Sequence, residues 1–117
     1  MLKVKRVYEK AEASDGTRFL VERLWPRGMK KESLKMKAWL KEVAPSAELR
    51  NWFGHDPLKW VEFQKRYQAE LKANPDALSP ILEAAKQGDV TLLYSAHDTE
   101  HNNALTLKNF VEKLLKK

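Results

Sequence analysis

Apolar and polar positions alternate along Leu2 to Tyr8, with Leu2, Val4 and Tyr8 on one face around Arg6, and this period of two predicts a strand. Asp15-Gly16 is a turn signal. Thr17 to Leu24 alternates again and predicts a second strand. Phe19, Val21 and Arg23 share one face of it, and Leu20, Glu22 and Leu24 share the other. The turn permits a hairpin between the two strands, with a parallel arrangement as the alternative. The period then changes. Met36, Trp39, Leu40 and Val43 fit a helical stripe that Pro45 ends. Ser46 is placed to cap a short helix through Trp52, stopped near Gly54. Asp56-Pro57 starts a long helix with Trp60, Phe63, Tyr67 and Leu71 on one side, and Ser79-Pro80 starts another that Gly88 closes. Val90 to Ser95 is nearly continuous apolar sequence, as in a strand covered on both faces of a parallel sheet. A polar loop, His97 to Asn103, leads into a last helix with Leu107, Phe110, Val111 and Leu114 as its buried stripe. Glu100 near its start and Lys113, Lys116 and Lys117 at its end suit the helix dipole.

Strands separated by helices predict an α/β fold: one domain over residues 1–117, a layered sandwich with a small, mostly parallel sheet flanked by helices. The length suffices for a core of its own. No stretch reaches the roughly 18 apolar residues of a membrane span. Met1 to Arg6 lacks the apolar region of a signal peptide. The chain has no cysteine, which removes disulfides, thiolate metal sites and cysteine nucleophiles. Together these features predict a cytoplasmic protein without membrane attachment.

The net charge of +6 lies in the first 50 residues, with 13 lysines and arginines against 7 acids, while the remainder balances at 9 against 9. Such a half attracts anionic ligands or nucleic acid. Lys30, Lys31, Lys35, Lys37 and Lys41 also fit a solvated helix face.

Three clusters carry candidate chemistry. Arg23-Leu24-Trp25-Pro26-Arg27-Gly28 ends the second strand, where open α/β sheets bind ligands. Arginine forks take carboxylate or phosphate bidentately, and indoles stack on bases or cover cations. Arg23 shares a face with Phe19 and Val21, so it needs either a ligand or an internal partner: Asp56, Asp98 or the Glu22 of a neighbouring molecule. Trp25 suits a loop anchor as well as a ligand contact. The second cluster, Ser95 to Asn103, lies between a buried strand and a helix start, whose backbone N–H groups favour anions. His97 or His101 would act as acid or base, oriented by Asp98. The same three side chains could bind a divalent metal, although their spacing matches no closed zinc pattern. Asp98 or Thr99 also suits the N-cap of the last helix. In the third cluster, His55 follows Trp52-Phe53-Gly54 and stands beside a helix start, as a ligand contact or a solvent-facing turn residue. No P-loop, dinucleotide fingerprint or nucleophile elbow is present.

Several runs resemble a known family. Leu20-Val21-Glu22-Arg23-Leu24-Trp25-Pro26-Arg27-Gly28, Trp39 to Ser46, Leu49 to Pro57 and Val90 to Ala96 are similar, in order and across the whole chain, to the signature of the YeaO-like proteins. These are a branch of a large family of domains of unknown function. The resemblance implies one α/β domain and no known activity. Many relatives outside this branch carry Cys-His-Arg at the start of the last helix, where this chain has Asn102, Asn103 and Ala104. A thiolate at a helix N-terminus is an activated nucleophile. Its absence puts covalent cysteine chemistry in doubt here and leaves Asn102 and Asn103 as ligand contacts or helix caps.

The leading expectation is an enzyme or ligand-binding domain acting on an anionic small molecule. Arg23, Trp25, Arg27, His55, Ser95, Asn102 and Asn103 would hold the ligand, and His97, Asp98 and His101 would carry any acid–base chemistry. A nucleic-acid-binding module built on the basic half and stacking on Trp25 is the first alternative. A metal-binding protein using His97, Asp98 and His101 is the second. No cofactor is indicated.

Overall fold

The computed structural model describes residues 1–116. Four strands, β1 (Leu2–Arg6), β2 (Thr17–Leu20), β3 (Ala38–Trp39) and β4 (Val90–Tyr94), form one sheet in the order β1-β4-β2-β3. Every pairing is parallel. β4 lies between β1 and β2, with Val90 opposite both Leu2 and Thr17. This excludes the hairpin. All five residues of β4 are buried, as its unbroken apolar sequence requires. Gly16 shows why the turn does not fold β2 back onto β1. Its φ of +67° turns the chain into β2, and a Cβ there would lie 2.1 Å from the Asp89 carbonyl oxygen. The chain therefore enters β2 pressed against the start of β4, and the Thr17 N–H donates to that same carbonyl.

Four α-helices follow the sequence signals closely: α1 (Ala47–Phe53), α2 (Trp60–Ala73), α3 (Ser79–Gln87) and α4 (Asn103–Leu115). The Ser46 hydroxyl accepts from the Leu49 N–H, and Gly54 takes the left-handed conformation that ends α1. Asp56 accepts from the Leu58 N–H and opens a 3-10 turn, Pro57–Lys59, that runs into α2. Ser79 is the first residue of α3 rather than its cap, because a 3-10 turn over Pro75–Leu78 already supplies the start. α4 is capped by Asn102, not by Asp98 or Thr99. Lys113 stands in its last turn, and the expected contribution of Lys117 lies outside the described residues.

The helix expected over Met36 to Val43 does not form. The segment pairs with the open edge of β2, where the Lys37 N–H donates to the Arg18 carbonyl and the Leu40 N–H to the Leu20 carbonyl. The Trp39 indole N–H donates to the Glu22 carbonyl at 2.6 Å. Sheet-edge hydrogen bonds and the tryptophan anchor outweigh the helical spacing. The lysines Lys30, Lys31, Lys35, Lys37 and Lys41 are exposed as expected, but on an irregular strap rather than on a helix. β1 and β2 are also shorter than their alternating stretches, and Val21 to Leu24 continue β2 as loop.

The larger core lies on one side of the sheet. It joins Phe19, Val21, Val90 and Leu92 to Phe63, Tyr67, Ile81, Leu107 and Val111 of the helices. The Tyr67 hydroxyl, fully buried, donates to the Val43 carbonyl. A smaller cluster of Val7, Leu20, Leu34 and Leu93, with Trp25, Met29, Met36 and Trp39, is the underside of the strap. Among the described residues no helix is long and apolar enough to cross a membrane.

Candidate functional site

Parallel pairing sends the carboxyl ends of β1, β2 and β4 to one edge of the sheet. The segments leaving them carry Tyr8, Glu22 to Arg27 and Ser95 to His97. There they meet the end of α1 and the start of α4 around a cleft of about 580 Å³. Its lining includes Arg23, Trp25, Arg27, His55, Ser95, His97, His101, Asn102 and Asn103. Asp98 alone of the sequence-predicted residues stays outside the wall. The lining also includes Tyr8, Glu22 and Arg50, which the sequence analysis did not assign to a site.

Arg23 is half-buried, and its partners are not carboxylates. Nε donates to the Pro45 carbonyl at 3.0 Å and Nη2 to the Ala44 carbonyl at 3.1 Å. These bonds fix the wall formed by the 3-10 turn before α1, and among the described residues no ion pair neutralises the Arg23 charge. The other arginines sort by partner. Arg18 and Arg66 meet Asp15 and Glu62, and Arg6 donates to the carbonyls of Ser95 and Ala96. Among the described residues no hydrogen bond or ion pair holds the Arg27 and Arg50 guanidiniums.

Glu22 is the one acid in the lining. Burial pushes its carboxyl above the usual glutamate range, and the Ser95 N–H and hydroxyl, with the Arg50 charge nearby, only partly offset that. Its Oε2 accepts the Ser95 N–H at 2.9 Å and the Ser95 hydroxyl at 3.3 Å. Ser95 is thereby committed inside the protein. A lone acid near the end of an apolar strand is the signal that would have marked Glu22.

His101 lies edge-on to Trp60, and its Nδ1 is 2.8 Å from Asp98 Oδ2. Asp98 therefore lies against the His101 ring and not against His97, whose Nδ1 lies 3.5 Å from the Arg6 guanidinium. Backbone N–H groups of Glu100 and His101, with the His101 ring, hold the Asp98 carboxyl below the usual aspartate range. No set of three histidine or acidic side chains converges on a metal position among the described residues. The positively charged Arg6 guanidinium lies beside His97, which disfavours a metal cation there.

The asparagines are mostly spent on the fold. The Asn102 side chain accepts from the Leu105 N–H and donates to the Asp98 carbonyl, each at 3.0 Å. The Asn103 amide donates to the Val21 carbonyl at 2.8 Å and ties α4 to the end of β2. The Trp25 indole N–H donates to the Met29 carbonyl and its ring meets Trp39 edge-on, so Trp25 anchors its loop while touching the cleft. His55 is exposed at the rim, with a left-handed φ of +58°.

Comparison with known proteins agrees with the resemblance seen in the runs. The uncharacterised protein YeaO of Escherichia coli K12 is 43% identical over 97% of this chain and 98% of its own length. The uncharacterised proteins Mb3100c of Mycobacterium bovis and Rv3073c of Mycobacterium tuberculosis are each 38% identical over 91% of this chain and 89% of theirs. No solved structure matches. A family model described as the inactive DUF488-N3 subclade covers residues 1–117, and the chain belongs to that family.

Proposed function

We propose that the chain binds an anionic small molecule, bearing phosphate or carboxylate, in the cleft at the carboxyl edge of its sheet. The observation that carries this reading is the charge of the lining: Arg23, Arg27 and Arg50 face one acid, Glu22. Two of those guanidiniums, Arg27 and Arg50, have no hydrogen-bond partner among the described residues, and the walls include Phe53, Phe63 and Pro45. Charge-assisted hydrogen bonds strengthen against such apolar surroundings. Holding the ligand fits better than covalent turnover. The chain has no thiol, the Ser95 hydroxyl already donates to Glu22, and the subclade is described as inactive. His97 and His101 then serve as further donors to the ligand.

A thermal-melt titration with inorganic phosphate and with sulfate tests this. Ligand at 100 times its Kd adds about 2.7 kcal/mol, a rise of roughly 10 °C in a domain of this size. Arg50→Gln with Arg27→Gln should abolish the rise. An unmoved melting temperature at saturating anion, or a rise that survives the double substitution, overturns the proposal.

A further inference from the structure

The cleft presents an aromatic face as well as cationic donors. The Tyr8 hydroxyl donates to the Arg27 carbonyl at 2.8 Å, and the Arg6 guanidinium lies 5.0 Å from the ring centroid. The ring is thus held at its tip and across one side, yet Tyr8 remains 47% exposed and lines the cleft. Leu24, 60% exposed, belongs to the same lining. An immobilised, half-exposed ring is a stacking surface whose ordering cost is met before any ligand arrives. A bare inorganic anion would leave that ring and Leu24 untouched. It would also leave most of the space empty, because a cleft of about 580 Å³ falls in the range that encloses a drug-sized molecule.

We infer that the ligand joins a planar aromatic ring to its anionic group, the chemistry of a nucleoside monophosphate, with the base against Tyr8 and the phosphate among Arg23, Arg27 and Arg50. This rests on the anion-binding reading above. The Arg6 charge on the Tyr8 ring makes its π-face electron-poor, which suits an electron-rich base.

Calorimetric titration with adenosine 5′-monophosphate, ribose 5-phosphate and inorganic phosphate tests the inference. Stacking on one aromatic side chain makes the nucleotide bind about tenfold more tightly than ribose 5-phosphate. Tyr8→Leu should erase that margin and leave ribose 5-phosphate binding in place, while Tyr8→Phe, which keeps the ring, should retain it. Equal affinity of nucleotide and sugar phosphate for the unaltered protein overturns the inference but leaves the anion site standing. A margin that persists in Tyr8→Leu overturns the placement of the base. Absence of binding by all three compounds removes the anion site and the inference together. A single-stranded oligonucleotide that binds without competition from the nucleotide overturns the inference in favour of a nucleic-acid surface.

Discussion

An arginine can prop a wall or receive a ligand, and Arg23 and Arg50 divide those tasks. Removing the Arg23 side chain strands two carbonyls that it now satisfies, so Arg23→Ala should cost about 1–3 kcal/mol of folding free energy. Arg50→Ala breaks no side-chain hydrogen bond among the described residues and should cost within about 0.5 kcal/mol. Urea denaturation of the two variants checks this, and the reverse order would refute the division. Glu22 gives a second expectation. Its carboxyl sits above the ordinary range in the folded protein, so below the ordinary glutamate value both states are protonated. As pH rises past that value the unfolded chain ionises first, and stability falls until the folded carboxyl also ionises. Glu22→Gln should abolish that fall, which begins near the ordinary glutamate value of about 4.3, and, by removing the one acid facing the guanidiniums, tighten phosphate binding at neutral pH by at least about fivefold. Weaker phosphate binding would refute it. At this scale the sequence was legible where a residue type announces itself. Arg23, His97 and Ser95 reach one cleft, and Trp25 anchors its loop. The partners of Arg23 were not legible, because backbone carbonyls of Ala44 and Pro45 have no side-chain signature.

Helices whose caps are written in the chain formed where those caps stand. Ser46, Gly54 and Asp56-Pro57 act locally, so their effect needs no knowledge of the fold. Met36 to Val43 reads as a helix by spacing and folds against β2, because the open edge of a parallel sheet is a non-local fact. The same holds for the hairpin: Asp15-Gly16 shows that the chain turns, while the insertion of β4 between β1 and β2 is fixed by a segment over 70 residues away. Gly16 makes this concrete. Its positive φ and the close Asp89 carbonyl leave no room for a side chain, because the two nearest atoms, the Asp89 carbonyl oxygen and carbon, are backbone. Gly16→Ala should therefore cost more than about 3 kcal/mol, far above an ordinary glycine-to-alanine change in a turn. Chemical denaturation measures it, and a cost under about 1 kcal/mol would show that the start of β2 can shift away from β4.

One buried network joins three of the four strands at the edge opposite the cleft. Asp15 is 4% exposed, and its carboxylate meets the Glu12 N–H at 3.1 Å, Lys5 of β1 at 3.1 Å and the Arg18 guanidinium of β2. Its carbonyl accepts the Thr91 hydroxyl of β4 at 2.7 Å. One residue of a short 3-10 turn thus touches three adjacent strands, and it also orders the entry to Gly16. Burial alone would push the Asp15 carboxyl up, but the Glu12 N–H, Lys5 and Arg18 outweigh it and hold it below the usual aspartate range. The sign of the pH effect follows. A depressed carboxyl contributes stability above the ordinary aspartate value, and that contribution is lost as pH falls through the lower folded value. Asp98 acts in the same direction beside the cleft, whereas Glu22 acts in the opposite one. The acid limb of the stability curve, below about pH 4, should therefore be steep and set mainly by Asp15. Asp15→Asn leaves Arg18 buried without its counter-charge, so it should cost about 3–5 kcal/mol at neutral pH and flatten the acid limb. Asp98→Asn should flatten that limb less, because Asp98 is half-exposed. Denaturation of the three proteins from about pH 2.5 to 7 distinguishes these cases. An acid limb unchanged by Asp15→Asn would mean that the ion pair with Arg18 is not what protonation breaks, and that the charge of the basic half, rather than this network, governs unfolding in acid.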